Sequence, residues 1–175
     1  MEDPIHEIED VIRSITEPYS AQVITQNVEK YFTEDAFILH PLLKQVHTAK
    51  GIENLKGIYK MLRVNTINNK LDFHAVMFSQ DKLQATIELT ERLQYRFLPI
   101  SRFINIRFIS RVDLRKESDG KYRIYRQQDN LPTDIHDSQL PLPVLSVISD
   151  VIKYSVGYIA ARLGGFFLKN NLFGP

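Results

Sequence analysis

Near Leu62 the hydrophobic period of this chain changes from helical to alternating. Up to Leu62 the apolar residues recur at steps of three and four, and from Leu71 they alternate. A helical period followed by a strand period restricts a chain to helices laid over long, mostly antiparallel strands, which is an α+β fold. Ile5, Ile8, Val11, Ile12 and Ile15 form the stripe of a first helix that Pro4 opens and Glu17-Pro18 closes. Val23, Ile24, Val28, Tyr31 and Phe32 make the apolar side of a second helix starting near Ser20. Thr33-Glu34-Asp35 predicts its end, and 36–39 reads as a short strand running into His40-Pro41. Ile52, Leu55, Ile58, Tyr59 and Leu62 outline a third helix after Gly51. Strands are then expected over 71–80, 84–97, 103–115 and 122–128, with a turn at Asp81-Lys82 and a hairpin at Ser118-Asp119-Gly120.

The 175 residues suffice for one well-cored domain, expected over 1–131. Pro132, Pro141 and Pro143 mark a linker over 132–143, and a tail of different composition occupies 144–175. The chain has no cysteine, which excludes disulfides, thiolate metal sites and a cysteine nucleophile. It also lacks HExxH, Walker, GxGxxG and GxSxG patterns, so neither a metal nor a cofactor is expected. The acidic start, Met1-Glu2-Asp3-Pro4, has no signal-peptide pattern, and residence on the cytosolic side follows as the expectation.

A formal net charge of +1 conceals a split: residues 1–43 sum to −7 and the remainder to +8. Arg92, Arg96, Arg107, Arg111 and Arg115 alternate against the apolar positions of their strands, a pattern suited to phosphate-bearing partners or lipid headgroups as well as to a solvated strand face. Aromatic residues are not interleaved with them, so nucleic acid is not an expected partner. In the tail, Ile148, Ile152, Ile159, Leu163, Phe166 and Phe167 sit on a helical apolar face beside Lys153, Arg162 and Lys169. Such an amphipathic helix fits the membrane–water boundary, although docking on the domain or on a second copy would use the same face. The uncharged run 154–161 is far shorter than the roughly 18–20 residues of a membrane span.

The order of these elements resembles the nuclear transport factor 2-like superfamily, SnoaL-like domains in particular. The resemblance is carried by Tyr31-Phe32-Thr33-Glu34-Asp35-Ala36, the strand ending at His40-Pro41, Gly51-Ile52-Glu53-Asn54-Leu55 opening a helix, and Ile124-Tyr125-Arg126-Gln127-Gln128-Asp129 on the last strand. It covers about residues 5–131, and within the superfamily the chain looks most like the SigF-like group of fungal proteins. The resemblance implies a cone: helices packed on the concave face of a curved antiparallel sheet, around an apolar pocket. It also implies a range of roles, from isomerases, dehydratases and cyclases to non-enzymatic binding or scaffold proteins.

By alternation Glu91 falls on the same strand face as Ile87, Leu89, Leu93 and Tyr95, which places a carboxyl group inside the cone. Arg126 and Gln128, expected on one face with Tyr122 and Ile124, are the corresponding ligand-contacting candidates with Tyr95, and Arg126 is a partner for Glu91. Glu91, His40 and His74 are the acid–base candidates, each with a structural or surface role as its alternative. Three functions are weighed on this basis. The first is a membrane-peripheral module that binds a small apolar ligand or serves as a scaffold. The others are an isomerase- or dehydratase-type enzyme, and a homodimeric interaction protein.

Overall fold

The computed structural model describes residues 1–41, 43–97, 103–132 and, beyond them, 151, 152, 155, 156 and 159. Helices α1 (Pro4–Thr16), α2 (Ala21–Tyr31) and α3 (Gly51–Asn65) lie against one face of a six-stranded sheet. Its strands are β1 (Phe32–His40), β2 (Leu43–Lys44), β3 (Thr66–Phe78), β4 (Gln84–Tyr95), β5 (Ile104–Lys116) and β6 (Tyr122–Asn130), in the spatial order β2-β1-β6-β5-β4-β3. The fold is α+β, as the change of period requires. Its sheet is mixed, because β6 inserts between β5 and β1 and runs parallel to β1; the other ladders are antiparallel.

Local chemistry sets the helix starts. The Asp3 side chain accepts from the Ile5 amide and the Ser20 side chain from the Val23 amide, so each N-terminus has one otherwise unpaired donor satisfied. Two strands start well before the positions read from the sequence. β1 begins at Phe32 directly from α2, since Phe32 pairs with Ile124 and is buried along with Thr33. β3 begins at Thr66, where Asn68 adopts a positive φ of 56° and a bulge between Ile67 and Lys70 breaks the alternation.

The core is built where the helix stripes meet the inward residues of the strands. Ile8, Ile15, Ile24, Val28 and Leu55 close on Phe32, Ile87, Leu89, Leu93, Val112, Leu114 and Ile124, all at most 5% exposed. β3 forms one edge of the sheet, and α1 covers part of it. The Glu17 carboxylate accepts from the Leu71 amide (3.0 Å), Arg13 donates to the Leu71 carbonyl (2.5 Å), and Lys70 reaches Glu17 at 3.0 Å. The outward backbone groups of Leu71 are thereby filled, which blocks edge-to-edge pairing at that point. Burial works against the Glu17 charge, but the bonds from Leu71, Lys70 and Arg13 outweigh it and hold the carboxyl below its usual range. Glu17→Ala is expected to lower stability by about 2 kcal/mol, read as a shift in urea midpoint. A stability matching wild type would show that the clamp contributes nothing.

Apart from Pro132, the linker, 132–143, lies outside the described residues, as does most of the tail, 144–175.

Candidate functional site

The face of the sheet that receives the helices carries polar groups as well as the core, and they form two poles. At the first, alternation along β4 places Glu91 between buried Leu89 and Leu93, with buried Leu71 and Ile106 as its cross-strand neighbours. The β3 bulge turns Asn69 inward beside it: Asn69 is 2% exposed, and its Nδ2 donates to Glu91 Oε1 at 3.3 Å. Tyr95 follows on the same face, half-buried against the core. Glu91 itself is half-buried but surrounded by protein. Desolvation, helped by the charge of Asp129, raises its carboxyl from 4.5 to about 7.

The second pole is Asp129 on β6. Ser110 Oγ donates to Asp129 Oδ1 at 2.6 Å, and Gln127 Nε2 donates to its two oxygens at 3.1 and 3.0 Å. The Tyr59 hydroxyl of α3 donates to Gln127 Oε1 at 2.7 Å, so a helix and two strands fix this carboxyl together. Burial raises the Asp129 carboxyl above its usual range, although Ser110, Gln127 and His40 oppose the rise. Burial also raises the Tyr59 hydroxyl well above its ordinary value, with Asp129 and Glu91 adding to it, so it remains a donor. His40, at the end of β1, stands with its ring 5.7 Å from that of Phe108. Burial lowers its pKa while the charge of Asp129 pulls the other way.

Of the residues singled out from the sequence, Glu91, His40 and Tyr95 lie on the helix-covered face. Arg126 and Gln128 do not. Between the pairs Asp113↔Arg126 and Leu114↔Ile124, β6 carries one extra residue, Tyr125, and this bulge reverses the facing of everything after Ile124. Gln127 and Asp129 therefore turn inward. Arg126 turns outward, where it meets Asp113 at 3.4 Å and donates to Gln128 rather than approaching Glu91. His74 is exposed, and its Nε2 lies 2.8 Å from the Thr90 hydroxyl on the outer face. It borders an open groove of about 530 Å³ along α1 and β3 that includes Arg13, Asp72 and Phe73 but none of the two interior poles. Sequence reasoning missed Asp129, Gln127, Ser110, Tyr59 and Asn69 as site residues. The one available signal was the loss of alternation after Ile124.

The arginines of the outer face are extensively partnered. Arg107 meets Glu88, Arg111 meets Asp113 at 3.1 Å, and Arg115 grips Asp35 through both terminal nitrogens at 3.0 and 3.1 Å. Burial would raise the Asp35 carboxyl, but Arg115, Thr33 and His47 hold it at about 2. Arg92 stacks over Phe103, and Arg96 donates to the Val64 carbonyl at 2.9 Å. Among the described residues no group of three or more His, Cys, Asp and Glu is placed to hold a metal ion, and no helix is long and apolar enough to cross a membrane. Ile148, Leu163, Phe166 and Phe167 lie outside the described residues. Ile152 and Ile159 are helical and 58% and 56% exposed.

The sequence matches the family described as the SigF NTF2-like domain over residues 1–171. No curated protein matches it. Among solved structures it is similar to a ketosteroid isomerase-like protein from Erwinia carotovora atroseptica, at 11% identity and a TM-score of 0.53, covering 74% of this chain and 96% of that one. It is also similar to SalBIII, an epoxide hydrolase/cyclase-like enzyme described in pyran ring formation in the polyether salinomycin, at 17% identity, a TM-score of 0.53 and 75% and 95% coverage. A third is an epoxide hydrolase of M. tuberculosis described as LEH-like, at 12% identity, a TM-score of 0.54 and 83% and 91% coverage. At these identities the likeness concerns the fold alone.

Proposed function

The chain belongs to the SigF NTF2-like domain family, and from that premise we propose that its cone binds a small, largely apolar ligand and moves a proton on it. The observation that carries this reading is the Tyr59–Gln127–Asp129–Ser110 network, which holds a half-buried carboxyl in one orientation on the sheet face that also carries His40. Holding a charged group in an apolar interior is costly, and groups tuned towards neutral pH are what acid–base chemistry needs. Asp129 and His40 take the proton-transfer role. Glu91, raised to about 7, is the second titrating group of the same interior. The isomerase- and hydrolase-like names of the structural neighbours agree with such chemistry without specifying its substrate.

The test begins with organic extraction of the purified full chain and mass spectrometry of what is released. The recovered compound is then incubated in deuterated water with wild type and with Asp129→Asn. Deuterium incorporation is expected with wild type and is expected to fall by roughly 10²-fold or more in the variant. Equal incorporation would remove the catalytic role, and a chain that retains no small molecule would remove the ligand.

A second reading, compatible with the first, attaches the chain peripherally to the cytosolic face of a membrane through 144–175. It is favoured by Val151, Ile152, Val156 and Ile159, which are helical, spaced along one apolar side and 56–61% exposed. Flotation with phosphatidylcholine–phosphatidylserine vesicles is expected for the full chain and not for a chain ending at residue 143. Equal flotation of the two would overturn this reading.

A further inference from the structure

The Glu91 pole contains a group whose hydrogen-bonding capacity is unspent. Asn69 is 2% exposed and gives its Nδ2 to Glu91, yet its Oδ1 is buried with no partner. A buried amide oxygen left unpaired costs about 1–3 kcal/mol, which is tolerable where a bound molecule supplies the missing donor. Two acceptors therefore stand side by side, the Asn69 amide oxygen and the Glu91 carboxylate, and what fits them is a group with at least two donors.

Charge narrows the choice further. Asp129 occupies the same helix-covered face, so the interior carries two carboxyl groups. The cations next to the pole in the chain are engaged elsewhere, Arg92 over the Phe103 ring and Lys70 on Glu17 at 3.0 Å. Arg126 is held by Asp113 and Gln128 on the outer face, Arg63 by the Tyr19 and Thr66 carbonyls, and Arg13 by Glu17 and the Leu71 carbonyl. A cationic ligand complements this interior and an anionic one is repelled by it. The residues beside the pole, Leu71, Leu89, Leu93 and Ile106, are apolar and at most 5% exposed, which suits a hydrocarbon body behind a charged head.

We propose that the Glu91–Asn69 pole seats the ammonium group of a small organic amine, leaving Asp129 and His40 to act at the other end of the molecule. This deepens the small-ligand reading above and rests on it. The ammonium donates to the Glu91 carboxylate and to Asn69 Oδ1. A carboxylate kept ionised by the bound cation in turn keeps the Asn69 amide nitrogen turned towards itself and the oxygen towards the ligand.

Three probes of nearly equal shape separate charge from size: benzylamine, benzyl alcohol and benzoate, titrated into the full chain at pH 8 by calorimetry. Benzylamine is expected to bind more tightly than benzyl alcohol by roughly tenfold or more, the worth of a charge-assisted hydrogen bond, and benzoate not measurably. Glu91→Gln is expected to bring the amine and the alcohol to nearly equal affinity. Equal affinities in wild type would overturn the amine assignment while leaving a small-ligand cone standing. An amine preference that survives Glu91→Gln would overturn the location. Failure of all three probes to bind would overturn the proposal and the small-ligand reading together.

Discussion

Replacing Glu91 by glutamine is expected to make the folded protein more stable at pH 8 and no more stable at pH 4. Its carboxyl is raised from 4.5 to about 7 by desolvation and by the Asp129 charge. Between those values the folded state retains a proton that the unfolded state has lost, so stability falls as pH rises through the window and stays lower above it. At about 1.4 kcal/mol per unit, the penalty reaches up to ~3 kcal/mol for a shift from 4.5 to about 7. Glutamine has nearly the same shape, carries no charge and can still accept from Asn69, so the variant escapes that penalty. Urea midpoints measured from pH 4 to pH 9 should diverge, with wild type falling away from the variant between about pH 5 and pH 8. The variant should keep a shallower slope of its own, because Asp129 is raised too and Tyr59 and His40 share its surroundings. Parallel curves would mean that Glu91 is solvated in the folded state.

A core position where a charge-removing substitution stabilises the protein is one that stability alone does not explain. Chains ordinarily place apolar residues at such positions, and a carboxyl group held there against its desolvation cost is characteristic of a site. The contrast with Asp35 and Asp113 is instructive. Asp113 is more deeply buried, at 3% exposure, but two arginines, Arg111 and Arg126, meet it, and Arg115 grips Asp35 in the same way. Those carboxylates have structural partners of opposite charge. Glu91 has an amide.

How far the sequence could be read is decided strand by strand. β4 alternates without interruption, so Glu91 was legible as an inward residue from its spacing to Leu89 and Leu93 alone. β6 starts with the same regularity, and Ile124 is buried as expected. One extra residue at Tyr125 then reverses the facing, and with it which of two neighbouring polar residues enters the site. Arg126 and Gln127 are equally plausible by composition; only the register against β5 separates them, and register is a tertiary property. The same holds at Asn69, which reaches Glu91 because the bulge at Asn68 rotates it inward. The parallel pairing of β1 with β6 was beyond local pattern altogether, since it joins segments about ninety residues apart in the sequence. Period and polarity thus identify the helices, the long strands and one interior acid, while the bulges decide which polar residues complete the site.

Gly51 and Gly57 occupy the same helix, and alanine is expected to have opposite effects at the two. Gly51 opens α3 where the helix presses on β1: a Cβ there would fall inside contact distance of the Ala36 carbonyl oxygen and lie 3.1 Å from that of Asp35. Neither oxygen can yield cheaply, since both belong to the backbone of a sheet strand, and Gln45 further ties the Ala36 and Gly51 carbonyls together at 3.2 and 2.7 Å. Gly51→Ala must therefore lift the start of α3 away from β1, at a cost of about 3 kcal/mol or more. At Gly57 a Cβ meets nothing within 4 Å. Gly57→Ala should gain up to about 1 kcal/mol from helix propensity alone. The difference bears on the site because α3 carries Tyr59, whose bond to Gln127 orients Asp129. Any Gly51→Ala protein that still folds should thus show Asp129 titrating differently by carbon-detected NMR, and Gly57→Ala should not. If the two variants share one stability and one Asp129 titration curve, the close seating of α3 on β1 plays no part in holding the site together.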